Sequence, residues 1–189
     1  MKDLGQVLAG LKEGKGKDYT VIAILGGRGS GKTSLVSRLI TGKWEATNPT
    51  TTFLDRQSTS MNVRGKQYQI VTCDYAGSSE YRLIQKTMFP PTKSVPVKCM
   101  LTIDLSRIES LNELIRIIDD LVVPRLSGRN SPVSYLLVGC KADLKRNVSN
   151  AEAANLAKVI SQKVGKTTQY VETSAKDGKG VVEAFGSLI

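Results

Sequence analysis

One stretch constrains this chain more than any other: Val21 to Leu39, VIAILGGRGSGKTSLVSRL. Five apolar residues, Val21 to Leu25, run into Gly26-Gly27-Arg28-Gly29-Ser30-Gly31-Lys32-Thr33, and apolar residues return at Leu35, Val36 and Leu39. The pattern is that of a buried strand, a glycine-rich turn and a helix with one apolar face. The turn fits G-x-x-x-x-G-K-[ST], and Ser34 continues it into the helix. Its four glycines let the backbone curl until successive N–H groups point inward at a phosphate chain. The helix start adds its positive dipole end. Lys32 is placed to reach the β- and γ-phosphates, and the Thr33 hydroxyl to ligate Mg²⁺. A plain glycine-rich turn would satisfy the octapeptide by itself. The flanking strand and helix favour nucleotide phosphate binding.

The rest of the composition removes alternatives. A chain of 189 residues suits one domain with a sizeable core. No apolar run approaches the roughly 20 residues of a membrane helix. The first residues, MKDLGQVLAG, lack the apolar core of a signal peptide. Lys2 after Met1 excludes N-myristoylation. Cys73, Cys99 and Cys140 are scattered, odd in number and set in or beside apolar runs, which reads as reduced intracellular thiols. There is no histidine, so chemistry based on that side chain is excluded. The net charge of +10 suits an anionic membrane surface or nucleic acid. No basic run of five and no basic–aromatic interleaving supports nucleic-acid binding, so lysines spread over solvated faces are the favoured reading.

In chain order, Met1, Leu4, Val7, Leu8 and Leu11 share a helical face, and GKGK (Gly14 to Lys17) follows as a link. Residues 1–18 are thus an N-terminal extension: either a short amphipathic helix that touches a partner, a membrane or the domain, or a fraying end. Strands are expected at Tyr19–Leu25, Phe53–Val63, Lys66–Asp74, Val97–Leu105, Val133–Gly139 and Gln169–Glu172. Helices are expected at Gly31–Thr41, at Ser78–Met88, over the apolar series from Leu111 to Val122 limited by Pro124, from Ala153 to Val164, and from Gly180 onward. Strands alternating with helices specify a doubly wound α/β fold, a six-stranded, mostly parallel sheet with helices on both faces. Ligands of such sheets sit at the carboxyl ends of the strands.

Those ends carry matching chemistry. Asp74-Tyr75-Ala76-Gly77 closes the third strand: a carboxylate able to hold Mg²⁺ through water and an N–H able to approach a γ-phosphate. Cys140-Lys141-Ala142-Asp143 follows the fifth strand, and Glu172-Thr173-Ser174-Ala175-Lys176 follows the sixth. These two segments resemble the (N/T)KxD and (E)SAK base-recognition motifs of Ras-like small GTPases. DYAGSSEYR (Asp74 to Arg82) is similar to that family's switch II and Pro49-Thr50 to its switch I. The resemblance covers Tyr19 to Ile189, the expected G domain of Rab or Ras type, with five motifs in the family's order.

The resemblance implies a P-loop NTPase G domain that binds GTP/GDP with Mg²⁺ and hydrolyses GTP slowly, a switch of signalling or vesicle trafficking. Gly26, Gly27, Arg28, Gly29, Ser30, Gly31, Lys32, Thr33 and Ser34 would cradle the phosphates. Thr33, Thr50 and Asp74 would hold Mg²⁺; Thr51 competes with Thr50, since TTT (Thr50 to Thr52) leaves the register open by one. Lys32, Thr50, Gly77 and Ser78 would surround the transferred phosphate. Trp44 matches the aromatic that packs on guanine, its plain alternative being a helix-end hydrophobe. Asp143 would accept from guanine N1–H and the N2 amine, which adenine does not present in that pattern. Lys141 would lie along the base plane, the Ala175 N–H would donate to O6, and Ser174 and Lys176 would brace that loop.

Two positions depart from the family. Cys140 stands where most members have Asn, and a thiol replaces the amide's tie between base and P-loop poorly. Ser78 stands where the family usually has the Gln that orients the attacking water, and it is too short to do so. Arg28, inside the P-loop, either contacts phosphate oxygens or faces solvent. A binding module that holds GTP or GDP with negligible turnover is the alternative function. A nucleotide kinase would need an arginine-rich lid and would leave Asp143 and the SAK segment without a role. The family's exchange factors, activating proteins and effectors would act through Lys43–Phe53 and Asp74–Met88, the segments ordered by the γ-phosphate. The expected location is cytoplasmic. Peripheral membrane contact would come through a tail beyond Ile189, where the last helix reads as truncated, or through the N-terminal extension.

Overall fold

The computed structural model describes residues 18–46, 54–77, 97–128 and 131–189. The expected helix at Ser78–Met88, the N-terminal extension, and Thr50, Thr51 and Ser78 lie outside the described residues. Six strands form one sheet: β1 (Asp18–Gly26), β2 (Leu54–Val63), β3 (Lys66–Tyr75), β4 (Val97–Asp104), β5 (Ser134–Cys140) and β6 (Thr168–Glu172). Their order is β2-β3-β1-β4-β5-β6, and only the β2–β3 pairing is antiparallel. The doubly wound, mostly parallel sheet expected from the strand–helix alternation is the one that forms. Residues Arg64 and Gly65 both take positive φ, 51° and 80°, which is the two-residue turn a right-twisted hairpin favours.

The helices α1 (Lys32–Thr41) and α5 (Val181–Leu188) cover one face, where Leu35, Val36, Val181, Ala184 and Phe185 pack on Ile22, Ile24, Met100 and Val138. The other face is covered by α2 (Glu109–Ile117), its continuation through Leu126, and α4 (Asn150–Val164). Both faces of β1, β4 and β5 are therefore buried, which explains their near-continuous apolar runs. A capping box starts α4: Glu152 N–H donates to Ser149 Oγ, and the Ser149 N–H donates to the Glu152 carboxylate.

Pro124 does not end the third helical run. The helix widens into a π turn at Ile118–Val122, where the Val123 N–H reaches back to the Ile118 carbonyl, and then continues as α3 (Val123–Leu126). Proline lacks an N–H and crowds the carbonyl four residues before it; the wider turn absorbs both defects.

Strand register sets up the site. Because β3 and β4 flank β1 on opposite sides, the chain reverses its winding there, and the glycine-rich turn leaves β1 at the topological switch point. In register, Ile24 lies beside Asp74, Gly26 beside Thr102, Asp104 beside Cys140, and Gly139 beside Glu172. Five strands thus end at one edge, each delivering a polar or glycine residue.

Candidate functional site

The glycine-rich loop is shaped by close contact. A Cβ on Gly26 would fall 2.1 Å from Thr102 Oγ1, so only glycine lets the chain leave the sheet here. Gly29 and Gly31 take φ of 72° and 102°, the left-handed region that side chains avoid. Ser30 Oγ and Thr102 Oγ1 share a hydrogen bond of 2.8 Å, and Thr102 Oγ1 also donates to the Leu25 carbonyl at 3.2 Å. Lys32 is buried, and its ammonium donates to the carbonyls of Gly26 at 3.1 Å and Gly27 at 2.9 Å. Burial lowers its pKa, opposed in part by the carboxylates of Asp74 and Glu113. Arg28 is exposed, and its backbone carbonyl accepts from Arg107 at 3.3 Å.

Beyond the loop, Thr33 Oγ1 donates to Asp74 Oδ2 at 2.5 Å, and Asp74 is 2% exposed. Two hard oxygen donors, one anionic, meet at the start of α1, a set that suits Mg²⁺ when phosphate oxygens supply the remaining ligands. Gly77 presses on the same loop: a Cβ there would fall 2.4 Å from the Arg28 nitrogen and 2.5 Å from the Gly27 carbonyl carbon.

The other half of the site is a cleft of about 160 Å³ walled by Ser34, Trp44, Cys140, Lys141, Asp143 and Lys176. Its floor is a web of hydrogen bonds between two loops. Thr173 N–H donates to the Gly139 carbonyl at 2.7 Å, and Ala142 N–H to the Thr173 carbonyl at 3.0 Å. Ser174 Oγ donates to Asp143 Oδ1 at 2.8 Å and itself accepts from the Asp177 N–H at 3.1 Å. Ser174 is buried and Asp143 exposed, so a fixed hydroxyl holds one oxygen of a carboxylate that lines the cleft. Lys141 sits at φ 63°, an unusual backbone for a side-chain-bearing residue, and its ammonium reaches Asp104 Oδ2 at 2.7 Å. With its ammonium so anchored, Lys141 lines the cleft.

Burial would raise the Asp104 carboxyl, but bonds from Lys141 and Ser106 outweigh it and hold the group below its ordinary value. Cys140 is buried, and burial pushes its thiol up to about 11. It hydrogen-bonds Thr173, and a Cβ on Gly31 would stand 3.0 Å from its own Cβ. Cys140 therefore lies against the glycine-rich loop where Gly31 leaves little room for a side chain. Trp44 is 40% exposed, with the Lys176 ammonium 5.9 Å from its ring centroid across the cleft mouth.

The structure brings Gly26–Ser34, Trp44, Asp74, Gly77, Cys140–Asp143 and Ser174–Lys176 to one edge of the sheet, while Thr50 and Ser78 lie outside the described residues. Sequence reasoning missed Thr102, Asp104, Arg107 and Glu113. Asp104 was open to discovery: like Asp74, it is a carboxylate closing a buried strand.

A family model, the Ras family, matches residues 21–189. The mouse (Mus musculus) Ras and EF-hand domain-containing protein homolog is 31% identical over 171 residues, covering 89% of this chain and 26% of that protein. The Arabidopsis thaliana Ras-related proteins RABA5a and RABA5e are 26% and 27% identical over 181 and 177 residues, each covering 94% of this chain and 76% of the relative. The chain thus spans about a quarter of the mouse relative and three quarters of the plant ones.

Proposed function

The chain belongs to the Ras family of small GTPases, GTP-binding switches, and on that premise we propose that it selects guanine nucleotides, uses Mg²⁺ and hydrolyses GTP slowly. The observation that carries this reading is the Ser174–Asp143 bond of 2.8 Å, at one strand edge with the loop that holds Lys32. A carboxylate held by a buried hydroxyl accepts best from two donors in one plane, the N1–H and N2 amine of guanine. Trp44 and the stem of Lys141 form the walls for the base, and the Ala175 N–H donates to O6.

The backbone of Gly26–Ser34 and the Lys32 ammonium take the phosphate chain. Thr33 and Asp74, in contact at 2.5 Å, fit a hard cation, with Thr50 or Thr51 as the further hydroxyl in the GTP form. Bound Mg²⁺ supplies neutralisation of charge on the phosphate oxygens. Gly77 offers its N–H to the γ-phosphate, and its tight fit on Gly27 and Arg28 leaves no room for a side chain. Ser78 replaces the residue that orients water and lacks the reach, so intrinsic hydrolysis is slow. This substitution also supports a second reading, a module that binds GTP or GDP without useful turnover. Single-turnover hydrolysis separates the two.

Members of this family act with exchange factors, activating proteins and effectors; here Lys43–Phe53 and Asp74–Met88 would meet them. Among the described residues, no helix is long and apolar enough to cross a membrane. Mass analysis of the copurifying nucleotide and displacement of labelled GDP test the function. GTP should displace the label far better than ATP. Equal displacement by both would sink the assignment.

A further inference from the structure

The phosphate loop is gripped from outside by two side chains that no loop motif names. Glu113, on α2, lays its carboxylate over the Cα of buried Gly27: a Cβ built there would fall 2.0 Å from Oε2 and 3.0 Å from the carboxyl carbon. Oε2 is buried and has no hydrogen-bond partner among the described residues. Oε1 accepts from Arg107 Nη2 at 2.8 Å. Through Nη1 the same guanidinium donates to the Arg28 carbonyl at 3.3 Å. An opposed charge pair therefore bears on two adjoining residues, Gly27 and Arg28, and Gly77 packs on the peptide that joins them.

A merely structural strap explains part of this. Arg107 fixes the orientation of the Arg28 peptide, and Glu113 fixes Arg107. It does not explain a carboxylate oxygen buried without a donor beside a loop built to receive anions, an arrangement that costs free energy. A charge in that place acts on whatever charge the loop receives. The extra phosphate of a nucleoside triphosphate over a diphosphate adds negative charge on the side of the loop where Gly77 sits.

We propose that Arg107 and Glu113 are specificity-determining residues that set the preference of this site for GTP over GDP, Arg107 raising it and Glu113 lowering it. This rests on the guanine-nucleotide reading above. The pair's side chains are 41% and 34% exposed, so solvent screens them. Removing one partner leaves the other charge uncompensated, and the expected change in the GTP-to-GDP affinity ratio is roughly three- to tenfold.

The test is a double-mutant cycle on affinities for GDP and a non-hydrolysable GTP analogue, with Mg²⁺, at low and high salt. Arg107→Gln should lower the triphosphate-to-diphosphate ratio, Glu113→Gln should raise it, and the double variant should return close to wild type. Arg107→Lys, which keeps the charge, should stay near wild type, and all shifts should shrink with salt. Ratios that move in the same direction in both single variants, or that do not move, overturn the proposal and leave a structural strap. A wild type that binds neither nucleotide overturns this proposal and the functional reading together; a wild type that binds both with ratios insensitive to either residue overturns this one alone.

Discussion

The proposed base end and the proposed phosphate end of the site are held in different ways. Around Asp143, loops are tied to each other by hydrogen bonds: Ser174 to Asp143, Ala142 to Thr173, Lys141 to Asp104. Around Gly27, order comes from glycines packed too closely to admit a side chain, Gly26 against Thr102 and Gly77 against Arg28, from the Lys32 ammonium on two loop carbonyls, and from opposed charges. On the proposed reading, the first kind of construction selects the base. On the same reading, the second gives the phosphates their space and leaves the reacting water to groups further along the chain. The chain keeps the family's carboxylate at the first end and lacks its glutamine at the second. The proposal therefore predicts that selection and turnover are separable here, and that each can be broken alone.

The largest effect is expected at the base end. Asp143→Asn turns one of two acceptors into a donor facing a donor: one charge-assisted bond is lost, the other becomes neutral, and two donors oppose each other, together about 3–6 kcal/mol. Affinity for GDP should fall roughly 10²–10⁴-fold, with a matching loss of preference over ADP, measured by competition against a fluorescent nucleotide. An unchanged preference would show that the base is read elsewhere. At the phosphate end, Gly77→Ala drives a methyl into the Arg28 and Gly27 backbone at 2.4–2.5 Å. Stability should drop by about 1–3 kcal/mol in denaturant unfolding, and GTP should lose more affinity than GDP. Equal losses for both nucleotides would remove Gly77 from the neighbourhood of the third phosphate.

A smaller effect tests the brace beneath Lys141. The folded Asp104 carboxyl lies below its ordinary value of 3.8, so its stabilising contribution is complete above that value and is lost as pH falls through the lowered one. Asp104→Asn should cost about 1–3 kcal/mol near neutral pH, discounted because Lys141 is partly exposed. The gap between variant and wild type should narrow as unfolding is measured from pH 5 towards pH 2. Parallel curves would contradict an ionised, paired Asp104.

How legible each end was follows from the same contrast. The glycine loop, Asp143 and the SAK segment are contiguous, and the α/β alternation that places them together is written in hydrophobic periodicity. Asp104, Thr102 and the Arg107–Glu113 pair act through contacts between β4, α2 and the loop, and no spacing along the chain encodes those. Pro124 misled for a related reason: its helix-breaking tendency is local, while the π turn that accommodates it sits inside a helix whose Ile118, Leu121 and Val122 are buried in the core.

Single-turnover GTP hydrolysis by the protein alone, wild type against Ser78→Gln, tests the separation of selection from turnover most directly. Positioning of the water is most of what such a site offers. The wild type should bind GTP tightly yet hydrolyse it slowly, and Ser78→Gln should speed the step on the order of tenfold or more at unchanged GDP affinity. A wild type as fast as the glutamine variant, or a variant slower than wild type, would mean that another residue positions the water and that the two ends of the cleft are not separable in this way.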